Sequence, residues 1–280
     1  MRTLRVALVQ LESGDDVDAN IDRAVALARE AAVGSDLVVL PEYVQYRGSP
    51  DGWRRSARPI PGSTTDPFAD VAREHGCWIL AGTRAEVSGD PLRPYNTAVV
   101  IDPSGALVAR YRKVHLFDVA VEDGPQTTES AKVTPGDGLM AVDLAGTRLG
   151  LSICYDLRFP ELYRALALAG AEVLAVPSDF SARTGRDHWE VLLRARAIES
   201  GAWVLAAGSC GGGGPGAIPA WGHSMVVDPW GRVIAQAGDG EAIVRAELDL
   251  DQVTAVRRQI PALANVRPNA LPPVREVDVA

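Results

Sequence analysis

Long apolar runs are missing from this chain of 280 residues. No stretch approaches the roughly 20 apolar residues needed to span a bilayer, so a membrane-spanning helix is not expected. The start, Met1-Arg2-Thr3-Leu4-Arg5, passes straight into a strand pattern. It has neither the apolar core nor the cleavage site of a signal peptide. Cysteine is scarce: three residues, Cys77, Cys154 and Cys210, lie far apart. That excludes a disulfide framework and makes a reducing cytoplasm the expected compartment. Excess positive charge is also lacking, since the net charge is -8. A nucleic-acid-binding surface is therefore not expected. The four histidines fall in no HExxH or Cys/His ligand spacing, so neither a metal nor another cofactor is expected. No G-x-S-x-G elbow is present, which argues against a serine hydrolase of the α/β-hydrolase kind. The glycines at 211–214 read as a flexible loop, because no strand–helix setting makes them a phosphate cradle.

What remains is a chain with 47% hydrophobic residues, enough to bury a large core. The pattern alternates between strand and helix. Strands are expected over 6–10, 37–40, 78–81, 97–101, 107–111, 149–153, 173–176, 204–207, 224–227, 233–236 and 242–248. Helices are expected over 20–33, capped by Asn20, and over 161–169 and 188–200. Asp102-Pro103-Ser104-Gly105 and Asp228-Pro229-Trp230-Gly231 are hairpin-like turns, so the sheets must be mixed. No composition break divides the chain. Residues 1–256 read as one domain, and the Pro-rich residues 257–280 as an extended C-terminal arm.

Three strand ends carry chemistry. Cys154 closes the apolar run 149–153 and precedes a polar turn and a helical pattern, the placement a nucleophile needs. Glu42 follows Pro41 at the end of the run 36–40, and Lys113 ends the run 108–112. Singly, each has a bland reading: a small buried thiol, a solvated charge, a surface ion pair. Ligands of α/β sheets collect beyond the carboxyl ends of strands, so the three can converge. An acid/base, a cation and a thiol together suffice to cleave a carbon–nitrogen bond.

The segments Pro41-Glu42, Tyr111-Arg112-Lys113-Val114-His115-Leu116-Phe117-Asp118 and Cys154-Tyr155-Asp156-Leu157-Arg158-Phe159-Pro160-Glu161-Leu162 resemble the Glu, Lys and Cys signatures of the nitrilase superfamily of carbon–nitrogen hydrolases. The likeness continues through Thr184-Gly185, His188-Trp189-Glu190 and Gly222-His223-Ser224, and covers the chain from about Arg5 to about Arg267. It is greatest to the amidase branch that contains omega-amidase and deaminated-glutathione amidase. The resemblance implies an α/β fold, a four-layer αββα sandwich with two mixed sheets. It also implies a homodimer, with contacts near the Cys-motif helix and the C-terminal segment.

The chemistry then follows. Cys154 attacks a small amide as a thiolate, its pKa lowered by Lys113 and the following helix start. Glu42 serves as base and then acid, and Lys113 holds the oxyanion with the backbone N–H of Tyr155. The resemblance adds Glu129 as an orienting fourth member; from composition alone it is a solvated loop carboxylate. Tyr43, Phe180 and Thr184 are expected pocket residues, with Arg158 as a further candidate that can equally brace the helix start. The implied substrate is a small carboxylate-bearing amide. One departure stands out: Asp179 occupies a position where this branch tends to have a small residue, and a carboxylate facing the pocket would disfavour an anion. Asp187 departs similarly, at a helix start. An N-carbamoyl amino-acid hydrolase or an aliphatic amidase would use the same three residues. A catalytically silent binding or scaffold protein, or a thiol redox sensor, would keep the fold without the turnover.

Overall fold

The computed structural model describes residues 2–267. The first half builds one sheet and its cover. Strand β1 (Thr3–Gln10) leads into helix α1 (Val17–Ala32), then β2 (Leu37–Val39), α2 (Pro50–Ser56), α3 (Asp66–His75), β3 (Trp78–Glu86), β4 (Tyr95–Ile101) and β5 (Leu107–Arg112). A small hairpin, β6 (Asp118–Ala120) and β7 (Gln126–Thr128), leads to a 3-10 turn at Glu129–Ala131. The second half holds β8 (Met140–Leu144), β9 (Thr147–Leu151), a 3-10 turn at Cys154–Arg158, α4 (Pro160–Leu168), β10 (Val173–Ala175), α5 (Ala182–Ser200) and β11 (Trp203–Ala206). It closes with β12 (Met225–Val227), β13 (Val233–Gln236), β14 (Ala242–Asp249) and α6 (Asp251–Gln259).

Two six-stranded sheets result, in the orders β14-β1-β2-β3-β4-β5 and β13-β12-β11-β10-β9-β8. Each has a parallel centre, β1-β2-β3 in one and β9-β10-β11 in the other, flanked by antiparallel strands. The two Asp-Pro-containing turns sit where expected, between β4 and β5 and between β12 and β13. Both faces of the first sheet are buried at its central strands β2, β3 and β4, and the period of two shows it. Leu4, Val6, Leu8, Leu37, Val39 and Leu80 enter the core that also holds Leu149, Leu151, Val173 and Leu205 from the second sheet. Their neighbours Ala7, Val9, Val38, Ile79 and Ala81 face α1 and α3 instead. With α4 and α5 packed outside the second sheet, the order of layers is αββα.

Several boundaries differ from the sequence reading. The cap of α1 is Asp16, whose side chain accepts the Ala19 N–H, and Asn20 lies one turn inside. Asn20 is buried there, bonding Gly14 and the Gln45 carbonyl, so it ties the helix to the loop after β2. Helix α5 begins six residues before the expected start. Gly185 makes this feasible, because a Cβ there would meet the Trp221 ring at 2.3 Å. The expected arm at 257–280 begins as the end of α6, where Arg257 bonds the carbonyls of Ser200, Gly201 and Ala171. Residues 268–280 of that segment lie outside the described residues. Among the described residues no helix is long and apolar enough to cross a membrane.

Candidate active site

Parallel strands end at the same edge, and the chemistry collects there. Glu42 follows β2, Lys113 follows β5, Cys154 follows β9 and Asp179 follows β10. A cavity enclosing about 760 Å³, its mouth included, opens between these ends. Glu42, Lys113, Glu129, Cys154, Asp179 and Tyr43 all line it.

Glu42 is held by backbone packing. After Pro41 the chain turns sharply, and Tyr43 adopts a φ of 58°. The turn lies on β3, where a bulge follows Leu80 and Gly82 has a φ of 67°. Thr83 donates its N–H to the Pro41 carbonyl and accepts the Val44 and Tyr43 N–H groups. Glu42 Oε1 then accepts Asn96 Nδ2 at 2.8 Å and Lys113 Nζ at 3.0 Å, and Oε2 accepts the Asp179 N–H at 2.7 Å. Its carboxylate is buried and locked in one orientation.

Lys113 bridges Glu42 and Glu129, with 2.9 Å to Glu129 Oε2. Burial works against its charge, yet Glu129 and Glu42 outweigh it and hold the ammonium pKa well above the usual lysine value. Glu129 is not a solvated loop carboxylate. It is 2% exposed and also accepts the Tyr43 hydroxyl at 2.9 Å and the Phe117 N–H at 2.6 Å.

Cys154 sits at the first position of its 3-10 turn with φ 47°, a left-handed conformation that costs a non-glycine residue energy. Its N–H is anchored to the Pro177 carbonyl. Burial first, and then the charge of Glu42, push its thiol pKa well above the ordinary range, against the pull of Lys113. This runs against the expectation of a pKa lowered by Lys113: removal from water outweighs one cation that is itself shared between two carboxylates.

Asp156, two residues on, fastens the Cys turn to the Lys loop. Fully buried, it accepts from the Ile153 N–H, the Tyr111 hydroxyl and the His115 N–H, and contacts His115 Nδ1 at 2.7 Å.

The wall of the cavity differs from expectation. Phe180, Thr184 and Arg158 are not on it. The early start of α5 turns Phe180 against Trp189, and Thr184 is buried with its hydroxyl toward the Ser181 carbonyl. Arg158 lies over the Phe180 ring and contacts His188, a brace for the helix start. The Tyr155 ring packs on Phe159 and on the wall residue Phe117, and does not itself line the cavity. Its backbone N–H occupies the second position of the turn, ahead of the first intrahelical acceptor. Asp187 is an exposed residue inside α5, paired loosely with Arg183.

Asp179 does line the cavity, but with a counterion that sequence reasoning missed. Arg47 Nε lies 2.9 Å from Asp179 Oδ1, both side chains largely buried. The contact is an ion pair without hydrogen-bond alignment. Desolvation still wins and raises the Asp179 carboxyl pKa to about 6, with Arg47 opposing. The other Arg47 nitrogens bond the carbonyls of Cys210, Gly211 and Ile218. Glu12 accepts the Gly212 and Gly213 N–H groups of the same loop. The loop read as flexible is thus pinned by two charges, and Gly216, Ala217 and Ile218 form part of the cavity wall.

The family described as Carbon-nitrogen hydrolase matches residues 5–258. Omega-amidase NIT2 of Homo sapiens is 39% identical over 268 residues, 95% of this chain and 96% of that one. Deaminated glutathione amidase of Bos taurus is 40% identical over 270 residues, 94% of this chain and 82% of that one. Among solved structures, Saccharomyces cerevisiae Nit3, a member of branch 10 of the nitrilase superfamily, superposes with a TM-score of 0.84. It is 32% identical, covering 96% of this chain and 97% of that one.

Proposed function

This chain belongs to the carbon–nitrogen hydrolase family, and on that premise we propose how its residues carry the reaction and on what substrate. It is a hydrolase of non-peptide carbon–nitrogen bonds, a thiol-dependent amidase. Glu42 takes the Cys154 proton as the sulfur attacks the amide carbon. The electron pair displaced onto oxygen is held by the Lys113 ammonium and the Tyr155 N–H. Collapse breaks the carbon–nitrogen bond, and Glu42 returns the proton to the departing nitrogen, which leaves as ammonia. Water then attacks the thioester, giving its proton to Glu42, and the acid departs as the thiol re-forms. Glu129 keeps Lys113 charged and in place. The carrying observation is the single Glu42 carboxylate, buried and bonded to Lys113 and Asn96 while its charge acts on the Cys154 thiol.

The substrate is a small amide with a carboxylate on its acyl part, such as a 2-oxo-dicarboxylic acid monoamide. Two relatives named for omega-amidase and deaminated glutathione amidase activity support this class. The Arg47–Asp179 pair removes the objection that Asp179 would repel an anion, since its charge is countered in place. A homodimer fits the exposed apolar Val191 and Ile198, seven apart on α5, beside the exposed Trp230 turn that touches Ile198 through Gly231. Three free, buried cysteines suit a reducing cytoplasm.

Ammonia release from 2-oxoglutaramate, deaminated glutathione, glutamine, aliphatic amides and N-carbamoyl amino acids tests the reading, with Cys154→Ala alongside. Thiol-dependent turnover of the carboxylate-bearing amides is expected. Turnover confined to aliphatic amides or carbamoyl compounds rejects the substrate class. Turnover that survives Cys154→Ala rejects the mechanism.

A further inference from the structure

The cations on the cavity wall are not equivalent. Lys113, Arg47 and Lys132 all line it. Lys113 is committed to Glu42 and Glu129. Arg47 has Nε against Asp179 and its two terminal nitrogens on three backbone carbonyls, with 1% of its side chain exposed. Lys113 is thus reserved for the oxyanion at the reacting end, and Arg47 cannot turn to a ligand without breaking what it holds. Lys132 is half-buried and has no acidic partner among the described residues.

Resting on the amidase reading, we propose that Lys132 determines specificity by pairing with the carboxylate at the far end of the substrate's acyl chain. Two further observations carry this. The first is attachment: Lys132 caps the 3-10 turn that begins with Glu129, and its N–H bonds the Glu129 carbonyl. The reader of the acyl end and the residue that holds Lys113 are therefore fixed relative to each other through one short turn. The second is charge. Glu42, Glu129 and Asp179 bring three carboxylates to the wall, and Lys113 and Arg47 answer two of them. An anionic substrate entering that set without Lys132 meets a net negative wall; with Lys132 the fixed charges balance. Apolar Trp53 and Val133 line the same cavity, and a less polar surrounding strengthens an ion pair formed inside it. Sequence reading passed over Lys132 because nothing local separates it from a solvated loop lysine.

The test compares succinamate with 4-methylpentanamide, in which an isopropyl group replaces the carboxylate at similar size. Lys132→Met keeps the chain length and removes the charge; Lys132→Arg restores a cation. In the native protein succinamate is the better substrate. Lys132→Met lowers kcat/KM for succinamate at least about tenfold, the weight of one hydrogen bond to a charged group, mainly through KM. Its rate on 4-methylpentanamide stays within about twofold, the change expected where no interaction with the substrate is lost. Lys132→Arg recovers most of the succinamate rate. A preference for succinamate that survives Lys132→Met overturns the role of Lys132 while leaving the substrate class standing. An equal fall on both amides assigns Lys132 a structural role and overturns it as well. A native protein that prefers the neutral amide overturns the carboxylate-bearing substrate class and this inference with it.

Discussion

The Asp156 carboxylate accepts the His115 backbone N–H at 3.0 Å, so the turn that carries the thiol and the loop that carries Lys113 share one buried anion. The same carboxylate takes the Tyr111 hydroxyl and the Ile153 N–H. Asp156→Ala strands several buried donors at once. Loss of about 3–5 kcal/mol in urea unfolding is expected, the scale for breaking a buried charged network. Turnover should fall at temperatures where the variant is still folded, because Lys113 loses its register with Cys154. A loss below about 1 kcal/mol, the range of a surface pair, would show that Asp156 does not fasten the two loops.

The proposed mechanism has Glu42 act on the thiol in two opposed ways. As the proposed base it would enable attack, and as an anion it raises the thiol pKa alongside burial. Glu42→Gln separates the two. Amide hydrolysis should drop by about 10²-fold or more, the scale of a lost general base. Alkylation of Cys154 by iodoacetamide at neutral pH should instead rise about threefold to tenfold, because the largest charge opposing Lys113 at the thiol is removed while Asp179 and burial remain. Mass spectrometry of the modified peptide reads this directly. Slower alkylation would mean that Glu42 governs the thiol as a proton acceptor and not through its charge.

The strand ends were legible because burial writes them plainly. The apolar runs before Glu42 and Cys154 and the strand-like run before Lys113 stop at the residue where the sheet meets the cavity. Glu129 was visible only through resemblance, since its burial comes from Lys113, Tyr43 and Phe117 across the cavity and not from its neighbours. Arg47 left no trace at all. Its carbonyl partners lie more than 160 residues away, and no periodicity reports such a contact. Phe180 and Thr184 are expected on the wall, but α5 starts at Ala182, so Thr184 is buried inside the helix and Phe180, just before it, packs on Trp189.

Asp179 links stability to pH. Its folded pKa, about 6, exceeds the ordinary carboxylate value of 3.8. Between those values the folded state holds a proton that the unfolded state has released, so stability falls as pH rises. The contribution is fully present below 3.8 and lost on passing through about 6. Asp179→Asn abolishes the titration. The stability of the native protein minus that of the variant should therefore decrease by about 1–3 kcal/mol between pH 4 and pH 7.5, measured by urea unfolding. A difference that grows with pH would show that Arg47 overcompensates the desolvation.

Gly82 is the position where one methyl group reaches the chemistry through backbone alone. Its φ of 67° is left-handed, and a Cβ would meet the Pro41 carbonyl oxygen at 2.2 Å and Val44 Cγ2 at 2.4 Å. The oxygen cannot yield without moving the turn that presents Glu42. Gly82→Ala should cost at least about 2 kcal/mol, combining the left-handed backbone with overpacking. Its effect on kcat should exceed its effect on KM, because a displaced Glu42 impairs proton transfer more than substrate entry. Gly76→Ala is the control: it has a similar φ of 61° but open space around the added methyl. It should lose stability through the backbone alone and keep kcat. If the two variants lose kcat equally, the Pro41 contact does not set the position of Glu42.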